Sequence, residues 1–169
     1  MDHIRLDHDV PAADHACPAP VDADAPGDDE VALAFARTRS IAIVGASPHP
    51  SRTSYQIAVW LMENTPYELF LVNPQAEGEE IRGHGFYGSL DELPAPVDMV
   101  DVFRRAEHTP AIAVDAVRNQ AKCLWLQLGV RNAEAMATAR TNGLVPIQNR
   151  CIKVEYRRLQ ERIQEFRAV

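Results

Sequence analysis

The sequence predicts an α/β domain, a doubly wound parallel sheet in three layers with helices on both faces. Three observations predict it. Five short apolar runs, Ile41–Val44, Glu68–Val72, Met99–Phe103, Cys123–Leu128 and Leu144–Ile147, have the length and hydrophobicity of strands buried on both faces. Helical stretches lie between them at about Ser54–Asn64, Thr109–Gln120 and Ala133–Asn142. Strand and helix take turns along the chain, and that order calls for right-handed crossovers and a parallel sheet.

Each element has its own signal. Ahead of the first strand, "GDDEVALAFARTRS" opens a helix in which Asp28 or Asp29 supplies the cap and Val31, Leu33, Ala34 and Phe35 contribute an apolar face. "IAIVGASPHPSRTSY", residues 41–55, then reads as strand, glycine, polar loop and helix start. The Gly- and Pro-rich stretch "EGEEIRGHGFYGSLDELPAPVD" separates the second and third strands. It has room for a short strand near Gly85–Tyr87 and a short helix begun by Ser89. Gly143 closes the helix before it as a C-cap.

"CIKVEYRRLQERIQEFRAV" ends the chain as one helix, with Ile152, Tyr156, Leu159, Ile163 and Phe166 on a single stripe. The simplest role for that stripe is packing on the sheet or on the N-terminal helix. A seam this narrow also suits a homodimer. Arg157, Arg158 and Arg162 form a solvated face that the acidic tail can meet.

Composition bounds the function. A chain of 169 residues, 46% hydrophobic and 24% charged, is one globular domain with a tail. The expected division is an acidic, disordered tail over 1–26 and a folded domain over 27–169 that includes the C-terminal helix. The net charge of −7 belongs to the tail: residues 1–30 hold nine acids and one arginine, and the rest is close to neutral. A neutral body without a basic stripe excludes nucleic acid as the expected partner. No apolar run is long enough for a bilayer and the start has no secretory pattern, so the expected location is cytoplasmic, with no membrane contact. Cys17, Cys123 and Cys151 lack CxxC spacing and read as reduced thiols. His3, His8, His15 and Cys17 are spaced too irregularly for a metal site.

Ligands of doubly wound sheets sit beyond the carboxyl ends of the strands. Those ends are Gly45-Ala46-Ser47, Asn73-Pro74, Phe103-Arg104-Arg105, Gln127-Leu128-Gly129 and Gln148-Asn149-Arg150-Cys151. The first is a strand-to-helix loop, where free amides and a helix dipole attract phosphate. It lacks the GxGxxG of dinucleotide sites and the GxxxxGK[ST] of nucleoside triphosphate sites. The second strand ends in Asn73, where NAD would call for an acid. Arg52, at the start of a helix, matches a phosphate in bidentate fashion or stands in solvent. Gly45 is an anion-binding turn or only a tight turn, and Cys123 is inert core filler.

Five segments, "IAIVGASPHPSRTSY", "LFLVNP", "VDMVDVFRR", "LWLQLGV" and "QNRCIKVEYRRL", resemble in order and spacing the small bacterial CoA-binding proteins. These are similar to the N-terminal CoA-binding domain of the succinyl-CoA synthetase α-subunit. The resemblance covers about residues 27–160. It implies a Rossmann-type domain that binds coenzyme A with its phosphates over the first loop. Carried over by position, Gly45, Ser47, Arg52, Thr53 and Ser54 would hold phosphates, with Ala46 part of the same loop. Asn73 would sit beside the nucleotide, Phe103 and Arg104 would flank the ligand, and Gln127 and Gly129 would line the opposite wall. Cys151 falls near the end of the pantetheine arm, where the synthetase has an Asn-Cys pair; here Arg150 intervenes. The synthetase's phosphorylated histidine belongs to a second domain that this chain does not contain, so its activity does not carry over.

The expected function is therefore binding of CoA or an acyl-CoA by a stand-alone module without catalysis of its own. The strand ends carry no Ser/His/Asp order and no paired His/Glu motif. The alternative is a small CoA-linked transferase or thiol-redox enzyme using Cys151, whose thiolate a neighbouring Arg150 would favour.

Overall fold

The computed structural model describes residues 24–169. Most of the tail expected over 1–26, including His3, His8, His15 and Cys17, lies outside the described residues. The chain then runs α1 (Asp28–Arg37), β1 (Ser40–Val44), α2 (Thr53–Asn64), β2 (Glu68–Val72), β3 (Glu80–Ile81), β4 (His84–Tyr87), β5 (Met99–Val102), α3 (Thr109–Arg118), β6 (Cys123–Leu126), α4 (Ala133–Thr141), β7 (Val145–Ile147), α5 (Ile152–Arg158) and α6 (Gln160–Arg167). Single 3-10 turns occupy Pro74–Ala76, Leu90–Glu92 and Ala106–His108, the second begun by Ser89 as expected.

The strands form one sheet in the order β3-β4-β2-β1-β5-β6-β7, parallel except for β3. This is the doubly wound, Rossmann-type α/β fold that the sequence predicts. Alternating side chains feed two cores. Ile41, Ile43, Leu69, Leu71, Met99, Trp125 and Ile147 face α1, α2, α5 and α6. Ala42, Val100, Val102, Leu124 and Leu126 face α3 and α4, whose Ala113, Ala116, Ala135 and Ala139 are fully buried and let these helices lie close to the sheet. Each large side chain so buried stabilises the fold by about 1.5–3 kcal/mol.

Four differences from the sequence reading have physical causes. The edge strand β3 is an addition: Arg82 and Gly83 both take positive φ, 49° and 82°, as a two-residue hairpin turn requires. Asp28 and Asp29 do not cap α1; Gly27 holds that position, and the two acids lie in the first turn, paired with Arg158 and Arg162. The expected single C-terminal helix breaks at Leu159 (φ −101°, ψ 11°), because the stripe serves two directions: Ile152 and Tyr156 pack toward the sheet and α2, Ile163 onto α1. With the stripe buried in this way, the seam invoked for a homodimer is used within the chain. The third and fourth expected strands also stop short, at Val102 and Leu126, as the chain turns into the loops described next.

At Gly143 the reading holds. It has φ +79°, and Leu144 N–H donates to Ala139 O at 2.9 Å, closing α4 with the wrapped turn typical of a C-terminal glycine.

Candidate functional site

The direction of winding reverses at β1: from there the chain builds β2 and β4 to one side, then β5, β6 and β7 to the other. The carboxyl ends of β1 and β5 therefore part and leave a crevice. Gly45 stands in it with φ +84°. Its amide donates to Val72 O at 2.8 Å, and a Cβ here would lie 2.5 Å from Phe103 O and 2.8 Å from Arg104 Cδ. Only glycine lets the β1 loop approach β5 this closely.

Beyond Gly45 the loop is self-supporting. Ser47 N–H donates to Ser54 Oγ at 3.1 Å, and His49 N–H donates to Ser47 Oγ at 3.2 Å. Among the described residues no side chain caps α2. The first-turn amides of Thr53, Ser54 and Tyr55, which the helix itself cannot use, point out of its N-terminus with the positive end of its dipole. Gly45, Ser47, His49, Arg52, Thr53, Ser54 and Phe103 line a cavity of about 390 Å³ at this point.

A second cavity, about 760 Å³, continues from the first across Thr53 and Phe103. Ile57, Arg104, Arg105, Ala106, Gln127, Leu128, Gly129, Val130 and Cys151 complete its lining. The two make one groove, lined among the described residues by Arg52, Arg104 and Arg105 and by no carboxylate. Such a groove accepts an elongated ligand that is anionic at the α2 end and less polar toward Leu128, Val130 and Cys151. Leu128 is 70% exposed, an apolar side chain open to such a ligand.

Of the residues singled out from the sequence, Gly45, Ser47, Arg52, Thr53, Ser54, Phe103, Arg104, Gln127, Gly129 and Cys151 come together along this groove. Ala46 and Asn73 do not line it. Ala46 is fully buried, and Asn73 pins the loop from behind: its Nδ2 donates to Ala46 O at 2.8 Å and its Oδ1 accepts from Gln75 N–H at 2.9 Å. Gln127 lines the groove with its polar atoms turned inward: Nε2 donates to Asp101 Oδ1 at 2.6 Å, and Oε1 accepts from Ile152 N–H at 3.4 Å. The Arg150 guanidinium is held by Pro26 O at 3.0 Å and Glu155 at 3.6 Å.

The sequence reading missed His49, Ile57, Arg105, Ala106, Leu128 and Val130 as lining residues, although Arg105 and Leu128 stood in the strand-end segments it quoted. It also missed Asp101, a fully buried carboxyl in β5 whose Oδ2 has no partner among the described residues. Burial pushes this carboxyl up to about 7. The Cys123 thiol is likewise buried and pushed up, which fits inert core filler. Among the described residues no cluster of three His, Cys, Asp or Glu could hold a metal ion, and no helix is long and apolar enough to cross a membrane.

Residues 39–157 match the family model of a CoA binding domain. The chain belongs to the CoA-binding domain family. The matched span runs from β1 into α5 and so contains the whole groove. Within this reach of similarity, a curated protein of Bacillus subtilis, the uncharacterized protein YneT, is 35% identical over 131 residues, which are 78% of this chain and 95% of its own. A solved structure, a hypothetical protein from Pyrococcus horikoshii, superposes with a TM-score of 0.77 at 31% identity over 85% of this chain and 99% of its own. An acetyl-coenzyme A synthetase from Ca. Korarchaeum cryptofilum shares the fold at 21% identity and a TM-score of 0.58; the match spans 69% of this chain and 26% of the synthetase.

Proposed function

We propose that this CoA-binding domain protein is a cytoplasmic binder of coenzyme A or an acyl-CoA, with residues 27–169 as the binding unit. The observation that carries the reading is the continuous groove from the α2 N-terminus to Cys151, which among the described residues bears three arginines and no carboxylate. The nucleotide phosphates rest on the amides of Thr53, Ser54 and Tyr55 and on Arg52, with Gly45 and Ser47 shaping the floor. The pantetheine arm runs between Phe103 and the Leu128–Val130 loop, flanked by Arg104 and Gly129, toward Cys151. Asn73 and Ala46 act by holding the loop. At the end of β2, Asn73 stands where a ribose-binding acid would favour NAD.

A thermal-shift titration tests this. CoA raises the melting temperature with concentration, as a ligand of the native state alone must, and NAD and ATP at equal concentration do much less. An equal shift with NAD would refute the reading. Arg52→Ala weakens CoA by about 1.5–3 kcal/mol in titration calorimetry, the scale of a hydrogen bond to a charged group.

One observation favours a second reading, thiol-redox chemistry at Cys151: this free cysteine is half-buried and lines the groove where the ligand's thiol would end. With CoA disulfide as oxidant, the Cys151 thiolate attacks one sulfur, forms a protein–CoA disulfide and releases one CoA thiolate. Intact mass after this treatment shows one added CoA in Cys17→Ser protein and none once Cys151 is also serine. A protein that takes up no CoA in this way is a non-covalent binder only.

A further inference from the structure

Asp101 Oδ2 is the single buried side-chain polar atom without a hydrogen-bond partner among the described residues. The residue lies on the core face of β5 shared with Met99, and its register neighbours are Ile43 and Trp125, all apolar and fully buried. For stability alone this position calls for an apolar side chain such as leucine, since burying a carboxyl with an unpartnered oxygen costs free energy. The carboxyl must therefore serve something else, and its one side-chain hydrogen bond shows what. Oδ1 accepts from Gln127 Nε2 at 2.6 Å, which leaves Gln127 Oε1 to accept from Ile152 N–H. Ile152 opens α5, and Cys151 precedes it at the end of the groove.

We propose, resting on the ligand reading above, that Asp101 is a positioning residue: through the Gln127 carboxamide it fixes the first amide of α5 and so the place of Cys151 at the end of the groove. Oδ1 accepts whether or not the unpartnered Oδ2 carries a proton, so Asp101 keeps the Gln127 NH₂ turned toward itself and the carbonyl turned toward α5. With an apolar side chain at 101 the carboxamide is free to rotate. The buried Ile152 amide then loses its acceptor, and the start of α5 loosens.

The test uses the full chain with Cys17→Ser, since Cys123 is buried. Asp101→Leu, Asp101→Asn and Gln127→Met are compared by melting temperature, by the rate at which 5,5′-dithiobis(2-nitrobenzoate) modifies Cys151, and by CoA affinity. Asp101→Leu melts at or above the parent temperature, yet its Cys151 rate and CoA affinity change by about three- to tenfold, the range of modulation through a residue that touches no ligand. Asp101→Asn keeps the acceptor and returns both to the parent values. Should Asp101→Leu not fold, Gln127→Met is expected to reproduce the same change in rate and affinity. A folded Asp101→Leu, or in its place Gln127→Met, with parental rate and affinity overturns the proposal. If the parent itself binds no CoA, the ligand reading falls, and the thiol rate still decides the role of Asp101.

Discussion

A β-carbon at position 45 would meet Phe103 O at 2.5 Å in a backbone already at φ +84°, so the site begins at a residue that tolerates no side chain. Gly45→Ala is expected to cost at least about 1–2 kcal/mol from the left-handed backbone alone, seen in urea unfolding, and to weaken CoA as the loop withdraws from β5. Asp101 gives a pH signature. Its folded carboxyl is raised to about 7 while the unfolded one keeps an ordinary value, so the folded state holds the extra proton between about pH 4 and pH 7. Stability then falls as pH rises through that window and levels off above it. Unfolding free energies from pH 4 to 8 should show Asp101→Asn gaining on the parent by a few kcal/mol across the window and no further beyond it. A constant difference would mean that Asp101 does not titrate there. The two residues were unequally legible. Gly45 announces itself by following "IAIV"; Asp101 sits in "VDMVDVF", where alternation assigns an acid to a solvent face that a sheet covered on both sides does not have.

The helices on the α1 side show how unequal the contacts within one element are. Tyr156 of α5 meets Phe35, Trp60 and Tyr67 edge-on at 5.4–6.0 Å, and Ile163 of α6 is fully buried against α1. Beside them Arg158 grips Asp28 with two hydrogen bonds of 2.7 and 2.8 Å, half exposed to solvent. Ile163→Ala is expected to cost about 2–5 kcal/mol, whereas Arg158→Ala should cost about 1 kcal/mol or less, because solvent screens the pair. Denaturant melts of the two variants check the order, and a larger loss for Arg158→Ala would make the ion pairs the principal clamp on α1. The stripe from Ile152 to Phe166 and its packing role were readable from spacing. The break at Leu159 was not, since leucine is a strong helix former and the bend answers to partners far away in the chain. The same holds for Asp28 and Asp29, whose arginines lie some 130 residues on.

Across the whole molecule, alternation of strand and helix carried the architecture, and the strand ends carried most of the groove. Strand order, the edge hairpin and the inward turn of Gln127 depend on which elements meet, and no local pattern encodes them. The order places β1, the first strand of the described residues, in the interior of the sheet, while the apolar face of α1, which precedes it, is covered by α6, the last helix described. During synthesis Val31 and Phe35 thus wait uncovered for nearly the full length of the chain. Nascent chains stalled before residue 160 has left the ribosome should be cut readily by protease, and those released past Arg167 should resist. Late pauses in translation, or a chain clipped at its last turns, would leave this protein in the hands of chaperones, while early pauses would pass without consequence.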